Sequence, residues 1–102
     1  MEENLLNVEE LIKKTIKDFN KNIIFELSRV NINHYHTSGP NGTCISLTAN
    51  VKKDGINNTI CKNLTLTDEF IEIIEKEILC SFLLHKLNRF FGGYEILEVY
   101  DE

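Results

Sequence analysis

Apolar residues recur along this 102-residue chain with two different periods, and the changes of period mark its elements. Leu5, Val8, Leu11, Ile12, Ile16 and Phe19 fall at helical spacing with charged residues between them, which predicts an amphipathic helix over residues 4–20. Asn7 and Glu10 have the spacing of a capping box, with Val8 opening the helix, and Asn20-Lys21-Asn22 closes it. The period then shortens to that of a strand over residues 23–35, but the alternation slips. Ile23, Phe25 and Leu27 share one parity and Val30 and Ile32 the other, so a bulge near Ser28-Arg29 is expected. Residues 36–42 are a loop by composition. Residues 43–51 alternate cleanly, with Ile45, Leu47, Ala49 and Val51 on one face. Asp54-Gly55 is the strongest hairpin signal in the chain. A two-residue turn there pairs Lys53 with Ile56, Val51 with Asn58, Ala49 with Ile60, Leu47 with Lys62 and Ile45 with Leu64. That register brings Ile60, Leu64 and Leu66 to the apolar face, and a slip of one residue would reverse one strand. Lys62 breaks the pattern; its stem is expected along the face and its ammonium at an edge.

Thr67 to Phe91 carries the strongest pattern and reads as one long helix. Thr67 is a good N-cap, Asp68 and Glu69 suit the positive end of the helix dipole, and Gly92-Gly93 supply a left-handed terminator. The apolar face changes direction along it. Phe70, Ile71, Ile73, Ile74 and Ile78 point one way; Leu79, Phe82, Leu83, Leu84, Leu87, Phe90 and Phe91 centre well over a third of a turn away. Either the helix bends near Leu79-Cys80 and its second half packs on the first helix, or that half buries against another chain. Tyr94 to Tyr100 reads as a short last strand. The order α-β-β-β-α-β predicts a single α+β domain over residues 1–102: a two-layer sandwich, its mostly antiparallel sheet covered on one face by two helices.

Composition narrows the function classes. A net charge of −5 counts against direct nucleic-acid binding, which Lys and Arg drive. No apolar run is long enough to span a bilayer, and Met1-Glu2-Glu3 does not open a signal peptide, so a cytoplasmic location is expected. Cys44, Cys61 and Cys80 are odd in number and lack metal-type spacing, which suggests free thiols. Asn, Ile and Lys together make up 34 residues, a usage that reflects an AT-rich genome. Charge is uneven: residues 67–102 hold nine acids against Lys76, Lys86 and Arg89, whereas residues 21–66 hold five bases against Glu26 and Asp54.

The outer sheet face would carry Cys44, Ser46, Thr48, Asn50, Asn57, Thr59, Cys61, Asn63 and Thr65: polar, uncharged and without the aromatics on which bases stack. The run of one helix, three strands and a second helix resembles the double-stranded-RNA-binding domain in topology. That family places a basic cluster at the start of its second helix, where this chain has Thr67, Asp68, Glu69 and Phe70. The sign is wrong, and RNA binding does not carry over. The ribosome-hibernation factor fold shares the elements and is likewise basic where it binds RNA.

His34 and His36 share one side of an extended segment, and Cys44 across the loop could add a third metal ligand, but a fourth is missing. No spacing joins a nucleophile to a base and an orienting acid, there is no phosphate loop, and no cofactor is expected. The chain therefore reads as a non-enzymatic binding protein acting by stoichiometric contact with another protein. Glu69, Glu72, Glu75, Leu79, Leu83, Leu87 and Phe90 are the expected partner-binding residues. The partner would carry a basic surface of the kind that holds nucleic acid, and a homodimer through the long helix is a further expectation. Size, acidity and AT-rich usage suit a phage or mobile-element inhibitor of a host nucleic-acid-handling complex, such as an anti-CRISPR. The alternative is a small metal- or ligand-binding domain using the His34/His36 loop.

Overall fold

The computed structural model describes residues 2–31 and 39–99, with side chains from Asn7 onward in the first helix. Helix α1 (Glu2–Phe19) leads into three antiparallel strands, β1 (Ile24–Asn31), β2 (Asn41–Lys53) and β3 (Ile56–Thr67). Two helices follow, α2 (Asp68–Ile73) and α3 (Lys76–Phe91), and then the short strand β4 (Glu95–Ile96). The sheet runs β1-β2-β3, with β4 pairing antiparallel to β2 at Val51 and Lys52. The expected α+β architecture is thus present.

The hairpin forms in the predicted register. Asp54 and Gly55 both take positive φ (53° and 80°), as a type I′ turn requires, and Lys53 pairs with Ile56. Every pair expected from Val51–Asn58 to Ile45–Leu64 is present. Ile45, Leu47, Ala49 and Val51 are fully buried under the helices. At the other end of the hairpin, Gly42 lies so close to β3 that a Cβ there would stand 2.7 Å from the Leu66 carbonyl oxygen.

Several boundaries differ from expectation: among the described residues the last strand, expected from Tyr94 to Tyr100, is the two-residue Glu95–Ile96, and β2 begins at Asn41, inside the expected 36–42 loop. Helix α1 already runs through Asn7, which is exposed within the helix, so no capping box forms with Glu10. Strand β1 pairs with β2 without interruption from Ile24–Thr48 to Asn31–Asn41, so there is no bulge at Ser28-Arg29. Instead Arg29 keeps its place on the helix-covered face, and Val30 is half-buried on the other. A charged side chain is tolerated there because its guanidinium finds partners at the sheet's end. Finally, the long helix is two helices. Ile74 (φ −83°, ψ 138°) and Glu75 (φ −71°, ψ 146°) are extended and separate α2 from α3, several residues before the expected bend at Leu79-Cys80.

The break resolves the turning apolar face. Helix α2 lays Phe70, Ile71 and Ile74 over the end of the β2–β3 hairpin. Helix α3 then starts on a new heading and buries Leu79, Leu83, Leu87 and Phe91, a row spaced by four. Its counterpart on α1 is Val8, Ile12 and Ile16, also spaced by four, and the two rows join one core. Each fully buried side chain of this kind contributes about 1.5–3 kcal/mol. Along that seam the Thr15 hydroxyl donates to the Leu11 carbonyl at 2.7 Å and lies 3.7 Å from the Cys80 sulfur. Gly93 (φ 85°) ends the stretch in the left-handed region, as expected of the Gly92-Gly93 pair.

Candidate functional site

The elbow between α2 and α3 is the most exposed apolar feature of the described chain. It is built from the Thr67 cap outward. The Thr67 hydroxyl accepts from the Phe70 N–H at 3.2 Å, which fixes where α2 begins. Asp68 then faces Arg29 of β1: two guanidinium nitrogens donate to its two oxygens at 2.8 and 2.6 Å, and Arg29 also donates to Thr43 Oγ1 at 3.0 Å. The hydrogen bonds from Arg29 hold the Asp68 carboxyl below its ordinary value, against the opposing cost of desolvation. The same bonds raise the Arg29 guanidinium. On its inner side α2 buries Ile71 and sets Phe70 against Phe82 of α3, ring centres 5.4 Å apart. The Ile74 N–H reaches the Phe70 carbonyl at 3.0 Å and closes the helix.

With the inner side occupied, the outer side of the elbow presents what remains. Ile73 is 82% and Ile78 55% exposed. In the same stretch Glu69, Glu72, Glu75 and Glu77 are all exposed, with Lys76 the single base. Glu75 occupies the N-cap of α3 and is exposed, and its side chain makes no capping bond.

The predicted partner-binding residues divide into three groups. Glu69, Glu72 and Glu75 lie at the elbow. Leu79, Leu83 and Leu87 are 1–2% exposed inside the chain's own core, so these three side chains are not available to another molecule; the first helix covers them. Phe90 is half-buried at the far end of α3, a helix length of about 20 Å from Glu75, edge-on to Phe91 and close to Lys62. Sequence reasoning missed Ile73 and Ile78, which it assigned to the buried stripe. Only the break exposes them, and no Gly or Pro announces it.

The outer sheet face carries its expected polar residues; Thr59 donates to Asn50 at 2.9 Å, and Cys61 lies 3.8 Å from the Thr48 hydroxyl. Cys44, Cys61 and Cys80 are free thiols. His34 and His36 lie outside the described residues, and Cys44 is half-buried on the outer face opposite Thr65. Among the described residues no three His, Cys, Asp or Glu side chains come together as a metal site would need. No described helix is long and apolar enough to cross a membrane. Compared with protein-family models, curated proteins and solved structures, the chain matches none.

Proposed function

We propose that the protein is a non-enzymatic binding module that acts by stoichiometric protein–protein contact through the acidic elbow between α2 and α3. The observation that carries this reading is the exposure of Ile73 and Ile78 in a short stretch that also exposes Glu69, Glu72, Glu75 and Glu77. Exposed apolar side chains with charge nearby suit a contact surface, in which the apolar groups supply affinity and the charges supply orientation. Four carboxylates in a stretch with one lysine select a basic partner. A surface that ordinarily holds nucleic acid is basic for the same reason, and the elbow would occupy it by offering carboxylates where phosphates go. With a net charge of −5, a length of 102 residues and AT-rich usage, this supports an inhibitor carried by a phage or mobile element against a host nucleic-acid-handling complex of the CRISPR type. A dimer through Leu79, Leu83 and Leu87 is not part of the proposal, because those side chains are used inside the chain.

The test is competition. The purified chain is added to a CRISPR-type effector complex from an AT-rich host, and binding of the complex to its nucleic acid is measured. Loss of nucleic-acid binding at a one-to-one ratio is expected. Reversing the charges (Glu69→Lys, Glu72→Lys and Glu75→Lys together) or replacing an apolar group (Ile73→Asp) should weaken inhibition by roughly tenfold or more while circular dichroism stays unchanged. Equal inhibition by both variants would remove the elbow from the mechanism.

A further inference from the structure

Strand β3 is an outer strand of the sheet, and among the described residues nothing pairs with its far side. Its 12 residues therefore turn a row of backbone N–H and C=O groups outward. Such edges recruit other strands, and proteins restrain them with inward-pointing charge. Lys62 is that charge. It stands on the helix-covered face of β3 opposite buried Leu47, with half-buried Ile60 and Leu64 on either side of it on the same face. An apolar strand laid along β3 would bury this ammonium without a counter-charge. A second copy paired antiparallel about Lys62 would set ammonium against ammonium. A strand with a carboxylate at that place meets neither obstacle.

The surroundings extend the preference. A cleft of about 510 Å³ lies between β3 and the end of α3, lined in part by Lys62, Arg89, Phe90 and Tyr94. Lys62 Nζ stands 5.9 Å from the Phe90 ring centre and Lys53 Nζ 5.1 Å from that of Tyr94. Among the described residues the ion pairs are Lys13–Glu10 and Arg29–Asp68, so none of Lys53, Lys62 and Arg89 is neutralised by a carboxylate. Lys62 of β3 and Arg89 of α3 thus both line the cleft beside the open edge, and among the described residues neither is in an ion pair.

We propose that β3 takes an extended acidic peptide as a fifth strand, its main chain pairing with the edge and its carboxylates meeting Lys62 and Arg89. Backbone pairing supplies affinity in this mode, and side chains at alternate positions supply selectivity. The surface is separate from the acidic elbow and does not depend on it. Single-stranded nucleic acid fits less well: lysines already lie over both rings, phosphates have no use for a strand edge, and the net charge opposes them.

The experiment titrates the full ¹⁵N-labelled chain with a short peptide of alternating Glu and Thr. The expected result is slowed amide exchange at every second residue of Ile56–Thr67, with binding that weakens as salt rises. Lys62→Met should bind about tenfold more weakly, and Lys62→Glu should prefer a Lys/Thr peptide to the Glu/Thr peptide. The Glu69→Lys, Glu72→Lys, Glu75→Lys chain should bind the peptide as the natural chain does, which separates this result from the elbow's. The proposal is overturned by unchanged binding in Lys62→Glu, by equal binding of a backbone N-methylated peptide, by tighter binding of a single-stranded oligonucleotide, or by no amide change at millimolar peptide.

Discussion

Arg29 occupies a position that would be apolar if the covered face of β1 continued to its end, and Asp68 and Thr43 hold its guanidinium there. The pair joins an outer strand to the first residue of α2, so it couples the sheet to the elbow. It is two-pronged and partly exposed, with Arg29 at 46% and Asp68 at 28%. A double-mutant cycle on Arg29→Ala and Asp68→Ala should therefore return a coupling of about 0.5–1 kcal/mol by urea denaturation. The pH dependence has a definite sign. Arg29 holds the folded Asp68 carboxyl below its ordinary 3.8, so the contribution is complete above that value and is lost as pH falls through the lower, folded value. Asp68→Asn should flatten this part of the acid limb, and an unchanged limb would remove the pair as its cause. The pairing itself is not legible in the sequence. The sequence shows Asp68 as a first-turn acid but not its partner, because a single charged residue out of phase looks the same whether the strand slips or a partner waits across the sheet. The partner is 39 residues away, beyond the reach of local pattern.

At the scale of elements, the hairpin and the helix pair show opposite degrees of legibility for a physical reason. The hairpin's register follows from local chemistry, since Asp54-Gly55 admits positive φ at both turn positions and the alternation on either side then allows one pairing. The break at Ile74-Glu75 is a tertiary outcome. The sheet end and α1 lie in different directions, and one straight helix cannot serve both; the isoleucine-rich stretch 71–74 offers weak helical preference and gives way. The turning apolar face was visible, but its location was misjudged, because a wheel shows that two stripes diverge and not where the backbone yields. Lys76→Pro tests the observed break. Lys76 is the first helical residue of α3, where a missing N–H and a fixed φ cost nothing, and Glu75 before it is already extended. Near-neutral stability is expected, within about 1 kcal/mol, whereas proline inside a continuous helix would cost about 3 kcal/mol or more. A loss of the larger size in thermal denaturation would restore the single helix.

For the whole molecule, the decisive matter is what covers the apolar row of α3. The surplus of apolar residues from Leu79 to Phe91 could in principle be satisfied by another chain, and the sequence alone left both solutions open. In the fold they are satisfied internally: Leu79, Leu83, Leu87 and Phe91 complete one core with Val8, Ile12 and Ile16, so α1 serves α3 as well as the sheet. The two solutions differ in how stability responds to protein concentration. An interface between chains gives an unfolding midpoint that rises with concentration, because association and folding are linked by mass action. A core within one chain gives a midpoint that does not move. Leu83→Ala sharpens the contrast, since Leu83 is 2% exposed and its truncation leaves a cavity. The loss should be about 2–5 kcal/mol, independent of concentration. If instead Leu83→Ala leaves unfolding unchanged at low concentration and acts only where chains associate, the leucine row belongs to an interface. The contact surface proposed at the elbow would then be sought on α3 instead.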